Sequence, residues 1–141
     1  MSYLADTADD NIIAMVASGQ TLPLLIEGMA SKDFSVFVPS LRAIGNILTT
    51  YDPELIDRCI SNKVLNGLTN LLYATNASII KECCWALSNI TAGSSDHIEM
   101  FLESPAFQRV IELTKSYSID HRKEAMWVVV NAITSSDVVV R

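Results

Sequence analysis

The sequence predicts an all-α solenoid, and three observations carry the prediction. Lys81-Glu82-Cys83-Cys84-Trp85-Ala86-Leu87-Ser88-Asn89 returns 42 residues later as Lys123-Glu124-Ala125-Met126-Trp127-Val128-Val129-Val130-Asn131, the same K-E-x-x-W-x-x-x-N frame. A third copy, Pro39-Ser40-Leu41-Arg42-Ala43-Ile44-Gly45-Asn46, stands 43 residues upstream with Arg42 at the Trp position. Leu25, Leu68 and Val110 each precede their Asn by 21 residues, so apolar positions keep the same period. A self-similar period of this length means stacked supersecondary units.

Composition agrees. Half of the 141 residues are apolar, with only five Gly and four Pro. That leaves too little turn material for many short strands and favours long helices around a substantial core. Sixteen acidic against ten basic residues give a net charge of −6, which argues against nucleic acid as the main partner and tolerates a basic one, although acidity alone identifies no partner. The apolar runs are far shorter than the roughly 20 residues that span a bilayer, and the chain opens without a charged-then-apolar leader. Three cysteines, two of them adjacent, make neither a disulfide framework nor a metal spacing, and a reducing intracellular setting is expected.

The elements follow in order. Asn46 minus one period falls on Tyr3, so residues 1–6 read as the tail of a preceding unit. Three units of three helices follow, at about 7–51, 52–93 and 94–136, each ending in the long helix that bears the Asn, with 137–141 starting another. In the first unit Ser31-Lys32-Asp33 separates the helix of Leu25 from the helix of Asn46. The second starts at Asp52-Pro53-Glu54, with Pro in the first helical turn, and breaks at Thr75-Asn76 before its long helix. Gly93 stands where that helix is expected to end in a left-handed cap. In the third, Ser104-Pro105 starts one helix and Ser116-Tyr117-Ser118 precedes the last. Units of this size bury their apolar faces only against their neighbours, as in armadillo or HEAT repeats. Uncapped end faces are expected to expose apolar surface and promote self-association.

A Trp and an Asn four residues apart share one face of a helix, so the repeat lines up indoles and carboxamides along one surface. An Asn carboxamide both donates and accepts, which suits it to clamp the backbone of an extended peptide. Packed helices lie roughly 8–10 Å apart and an extended chain advances about 3.3 Å per residue, so Asn46, Asn89 and Asn131 would meet a peptide at about every third residue. Trp85 and Trp127 would form slots for the aliphatic stems of Lys or Arg, with the cation over the indole. Glu82 and Glu124, three residues before each Trp, are candidates to receive the charged heads, as is Asp52 beyond the first long helix. For the two Glu residues a solvated face or a pair with the adjacent lysines is the competing reading. Arg42 would repel a cation at its rung.

No catalytic constellation emerges. In Ser95-Asp96-His97 adjacent residues of a helix do not face one another, so no triad forms. His97 and His121 read as surface residues and Cys59, Cys83 and Cys84 as small buried hydrophobes. No Gly-rich phosphate loop is present, and neither a cofactor nor a metal is implied.

The stretches Leu41-Arg42-Ala43-Ile44-Gly45-Asn46-Ile47 and Asn89-Ile90-Thr91-Ala92-Gly93, with the two Trp frames, resemble importin-α, the armadillo adaptor that carries cargo with basic nuclear localisation signals. The resemblance covers nearly the whole chain. It implies an armadillo-repeat solenoid without enzymatic activity, acting in cytoplasm and nucleus, whose partners are the basic signal peptides of cargo proteins. A unit with Arg in place of Trp followed by two Trp units is similar to repeats six to eight, the minor signal-binding site, with Tyr3 at the end of repeat five. On that alignment the arm that binds importin-β lies outside this chain. Arg42 would bound the basic pocket, either pairing with a carboxylate such as Glu82 or contacting a peptide carbonyl. Leu48 and Asp52 match positions lining the principal lysine pocket, while Leu55 replaces a polar residue there. Thr50 and Ser135 replace expected glycines, and Val128-Val129-Val130 is unusually β-branched. The alternative function is a scaffold that binds another protein through its outer face.

Overall fold

A computed structural model describes residues 21–50 and 52–134. The expectations for residues 1–20, including Tyr3, for Ser135 and for 137–141 lie outside the described residues.

Eight helices and no strand occupy the described residues. They are α1 (Thr21–Gly28), α2 (Phe34–Leu48), α3 (Pro53–Ser61), α4 (Val64–Leu71), α5 (Ala77–Thr91), α6 (Ser95–Glu103), α7 (Pro105–Leu113) and α8 (Ile119–Thr134). The order short, short, long appears twice, in α3–α5 and α6–α8, and α1–α2 supplies a short helix and a long one. The chain is an all-α solenoid.

Side chains at the polar breaks start the helices. Asp33, Asp52, Asn76 and Ser94 each accept from a backbone N–H in the first turn of α2, α3, α5 and α6, meeting donors that have no partner within the helix. Pro53 and Pro105 occupy first-turn positions of α3 and α7, where the missing N–H costs nothing. Two turns differ from expectation. Gly93 is not left-handed: α5 ends at Ala92 in a right-handed conformation, and the one positive φ among the described residues belongs to Lys63, at 68°, between α3 and α4. At the end of α2 the Thr50 hydroxyl donates to the Ile47 carbonyl (2.9 Å) and accepts from the Asp52 N–H (3.3 Å), so a side chain closes the turn where a glycine was expected.

The long helices form the central row, with α5 packed between α2 and α8. Ile44, Ile47 and Leu48 of α2, Ile80, Leu87 and Ile90 of α5, and Val128 of α8 are fully or almost fully buried, together with Leu68 of α4, Leu72 just beyond it and Val110 of α7. Burying such a side chain contributes about 1.5–3 kcal/mol, so these apolar contacts hold neighbouring helices together. Polar ties cross the same boundaries. The Thr91 hydroxyl donates to the Val128 carbonyl (3.3 Å), and Arg109 donates to the Leu72 carbonyl (3.1 Å) while its guanidinium stacks over Tyr73 at 4.3 Å. No helix among the described residues is long and apolar enough to cross a membrane.

Candidate functional site

Because α2, α5 and α8 lie side by side, their equivalent positions converge on one surface. Arg42 and Asn46 from α2, Lys81, Glu82 and Trp85 from α5, and Glu124 from α8 line a cleft of about 410 Å³. Five of these six are candidates read from the sequence. Lys81 was missed, although it opens the repeated frame that marked Glu82 and Trp85.

The floor of the cleft depends on Gly45. A Cβ placed there would stand 2.8 Å from Cε3 of Trp85 and closer still to Cζ3, so the indole lies directly on the backbone of α2. One edge of the ring is thereby buried, leaving Trp85 half-buried with its remaining surface toward the cleft. Arg42 Nη2 lies 3.4 Å from Glu82 Oε1, and both side chains stay accessible to water, at 48% and 30% exposure. Two carboxylates and two cations share the cleft. A smaller pocket of about 270 Å³ adjoins it through Lys81 and Glu124 and is lined also by Ser78, Asp120, His121 and Lys123.

The Asn ladder is less uniform than its spacing suggests. Asn46 is partly exposed and lines the cleft. Asn89 is only 6% exposed, so it offers a ligand almost no surface. Asn131 donates from Nδ2 to the Ser88 carbonyl (3.1 Å), which ties α8 to α5 and commits part of its amide to the fold. Trp127 is 55% exposed and lines a separate, almost wholly apolar surface with Lys123, Met126 and Val130.

Leu48 is corrected by its surroundings, and Asp52 lies apart from the cleft. Leu48 is completely buried in the core between helices, because it lies two residues beyond Asn46 and therefore on a different side of α2. Asp52 accepts from the N–H groups of Glu54 and Leu55 (2.9 and 3.5 Å) as the cap of α3, and it does not line the cleft. Leu55, expected to make that region drier, is buried at 8% exposure.

One histidine and the three cysteines lie in the interior. His97, expected at the surface, is 2% exposed, with Nε2 2.6 Å from Asp57 Oδ1, and so links α6 to α3. Sequence spacing carried no sign of this contact between residues 40 apart. Cys59, Cys83 and Cys84 are buried thiols. Burial pushes Cys59 up to about 12, and burial followed by the Glu124 charge pushes Cys84 up to about 12, which keeps both protonated and unreactive. Among the described residues no group of three or more His, Cys, Asp and Glu side chains could hold a metal ion.

Comparison with known proteins agrees with this architecture. Residues 52–92 match the family model of the Armadillo/beta-catenin-like repeat. Importin subunit alpha-2 of Oryza sativa subsp. japonica is 32% identical over 137 residues, 92% of this chain and 25% of that protein. Importin subunit alpha-1a of the same organism is 39% identical over 106 residues, 74% of this chain and 20% of that protein, and importin subunit alpha-4 of Arabidopsis thaliana is 37% identical over 99 residues, 70% and 18%. The chain thus spans a quarter or less of the length of these relatives. Among solved structures, a designed armadillo repeat protein in complex with the peptide (KR)4 superposes with a TM-score of 0.87 at 25% identity, over 99% of this chain and 57% of that one. Sequence relatives, the matched repeat and the helical solenoid agree, and the chain belongs to the importin-α family of armadillo-repeat proteins.

Proposed function

We propose that the surface formed by α2, α5 and α8 binds an extended, Lys- and Arg-rich peptide, and that the chain serves as the cargo-recognition part of a nuclear import adaptor, moving between cytoplasm and nucleus. The observation that carries this reading is the cleft itself: an indole held flat by Gly45, the amide-bearing Asn46, and the carboxylates of Glu82 and Glu124 on three neighbouring long helices. A cationic side chain over Trp85 gains about 0.5–2 kcal/mol from the ring, depending on how far it is desolvated, while its stem covers apolar surface. Glu82 and Glu124 add charge-assisted contacts at either side. Support also comes from the relatives named importin subunit alpha and from the designed protein that takes a (KR)4 peptide on the same fold.

The role is recognition without catalysis. Among the peptide-binding candidates, Asn46, Glu82, Trp85 and Glu124 form the principal contact, Arg42 borders it beside Glu82, and Trp127 extends it. Trp85 and Trp127 are the only tryptophans, so their emission reports on the groove directly. Titration with an alternating Lys-Arg octapeptide is expected to give a saturable change that weakens as salt rises and is lost in Trp85→Ala. An unchanged spectrum at high peptide concentration would overturn the proposal and favour a scaffold that uses its outer face.

A further inference from the structure

We propose that Arg42 is an internal competitor for the ligand's cation: paired with Glu82, it masks one of the two carboxylates of the cleft and directs a basic side chain toward Glu124. The inference rests on the peptide-binding reading above and adds to it a residue that sets where along the groove a basic side chain is accepted.

Three observations carry it. First, Arg42 occupies the frame position filled by Trp85 and Trp127 in the other two long helices, so the α2 rung presents a guanidinium where its neighbours present an aromatic face. An indole attracts a lysine or arginine head, and a guanidinium repels it. Secondly, the Arg42–Glu82 contact has the form of an exchangeable pair. A guanidinium ordinarily grips a carboxylate through two parallel N–H donors, whereas here one contact, Nη2 to Oε1 at 3.4 Å, joins two water-accessible side chains. Such a pair contributes little to the fold and yields to a competing cation. Thirdly, the cleft holds a second carboxylate, Glu124, across Trp85 from Arg42 in helix order.

The consequence is a polarity along the groove. A peptide that puts a cation beside Glu124 and a neutral or acidic side chain beside Arg42 leaves the internal pair intact. One that puts a cation at the α2 rung has to displace Arg42 from Glu82.

A double-mutant cycle tests this with the alternating Lys-Arg octapeptide as probe and indole emission as readout, at low ionic strength. Arg42→Gln is expected to tighten binding about two- to fivefold, the scale of an accessible ion pair. In a Glu82→Gln background the same substitution is expected to gain less than about twofold, because the masked carboxylate is gone. Far-UV circular dichroism checks that these exposed substitutions keep the helices. Weaker binding by Arg42→Gln would overturn the inference and assign Arg42 to direct contact with the peptide. Equal gains in both backgrounds would also overturn it, leaving only long-range repulsion. If neither the wild type nor any variant bound the peptide, the groove reading itself would fall, and this inference with it.

Discussion

Trp85 and Trp127 stand at the same position of the same repeated frame, yet their surroundings are opposite. Trp85 rests on Gly45 and forms the wall of a cleft that contains four charged side chains. Trp127 is more than half exposed, beside Met126 and Val130 on α8. The difference lies in the neighbours. The residue before the ladder Asn is Gly45 in α2, but Ser88 in α5 and Val130 in α8. The first site therefore has a flat backbone floor and a helix on either side, whereas among the described residues no long helix follows α8. A shared motif specifies which face a side chain takes, and the adjoining unit specifies whether that face becomes a pocket.

Removing each indole in turn should expose this contrast most strongly. Trp85→Ala is expected to cost about 2–3 kcal/mol in chemical denaturation, since a half-buried ring leaves a void over Gly45, and to abolish peptide binding. Trp127→Ala should stay within about 1 kcal/mol and weaken binding only in part. Equal losses for the two would break the comparison.

Filling the floor is the next test. Gly45→Ala puts a methyl group where the ring lies, and the helix backbone allows it no escape, so Trp85 must shift outward. The expected cost is about 1–3 kcal/mol, with a red-shifted emission and weaker peptide binding. An unaltered spectrum would mean that Gly45 does not set the ring's position.

Asn131→Ala probes the other end of the row. It removes the bond to the Ser88 carbonyl and should cost about 1 kcal/mol in thermal or denaturant unfolding. A larger effect on peptide affinity than on stability would return Asn131 to the group of ligand clamps. The smallest stability change is expected for Val130→Lys, within about 0.5 kcal/mol. Its value lies in light scattering across protein concentration: Met126, Trp127, Val130 and Ile133 form an apolar stripe on α8, and a charge there should reduce self-association. If association is unchanged, the contact lies elsewhere.

Read from the amino acids alone, the period of 42 or 43 residues determined the helical solenoid, because a pattern of apolar positions in phase with a polar frame leaves only stacked helices as a way to bury it. It also determined that Arg42, Asn46, Glu82, Trp85 and Glu124 share one surface, since spacings of three and four put residues on one side of a helix. The tertiary structure decided what each residue does there. Asn89 is covered, Asn131 holds α8 to α5, Asp52 caps a helix, Leu48 belongs to the core, and His97 reaches Asp57 across a unit boundary. Period reveals direction around one helix axis. Burial and pairing depend on the helix alongside, and which atoms that neighbour places within 3 or 4 Å is set by packing between units, on which the repeat is silent.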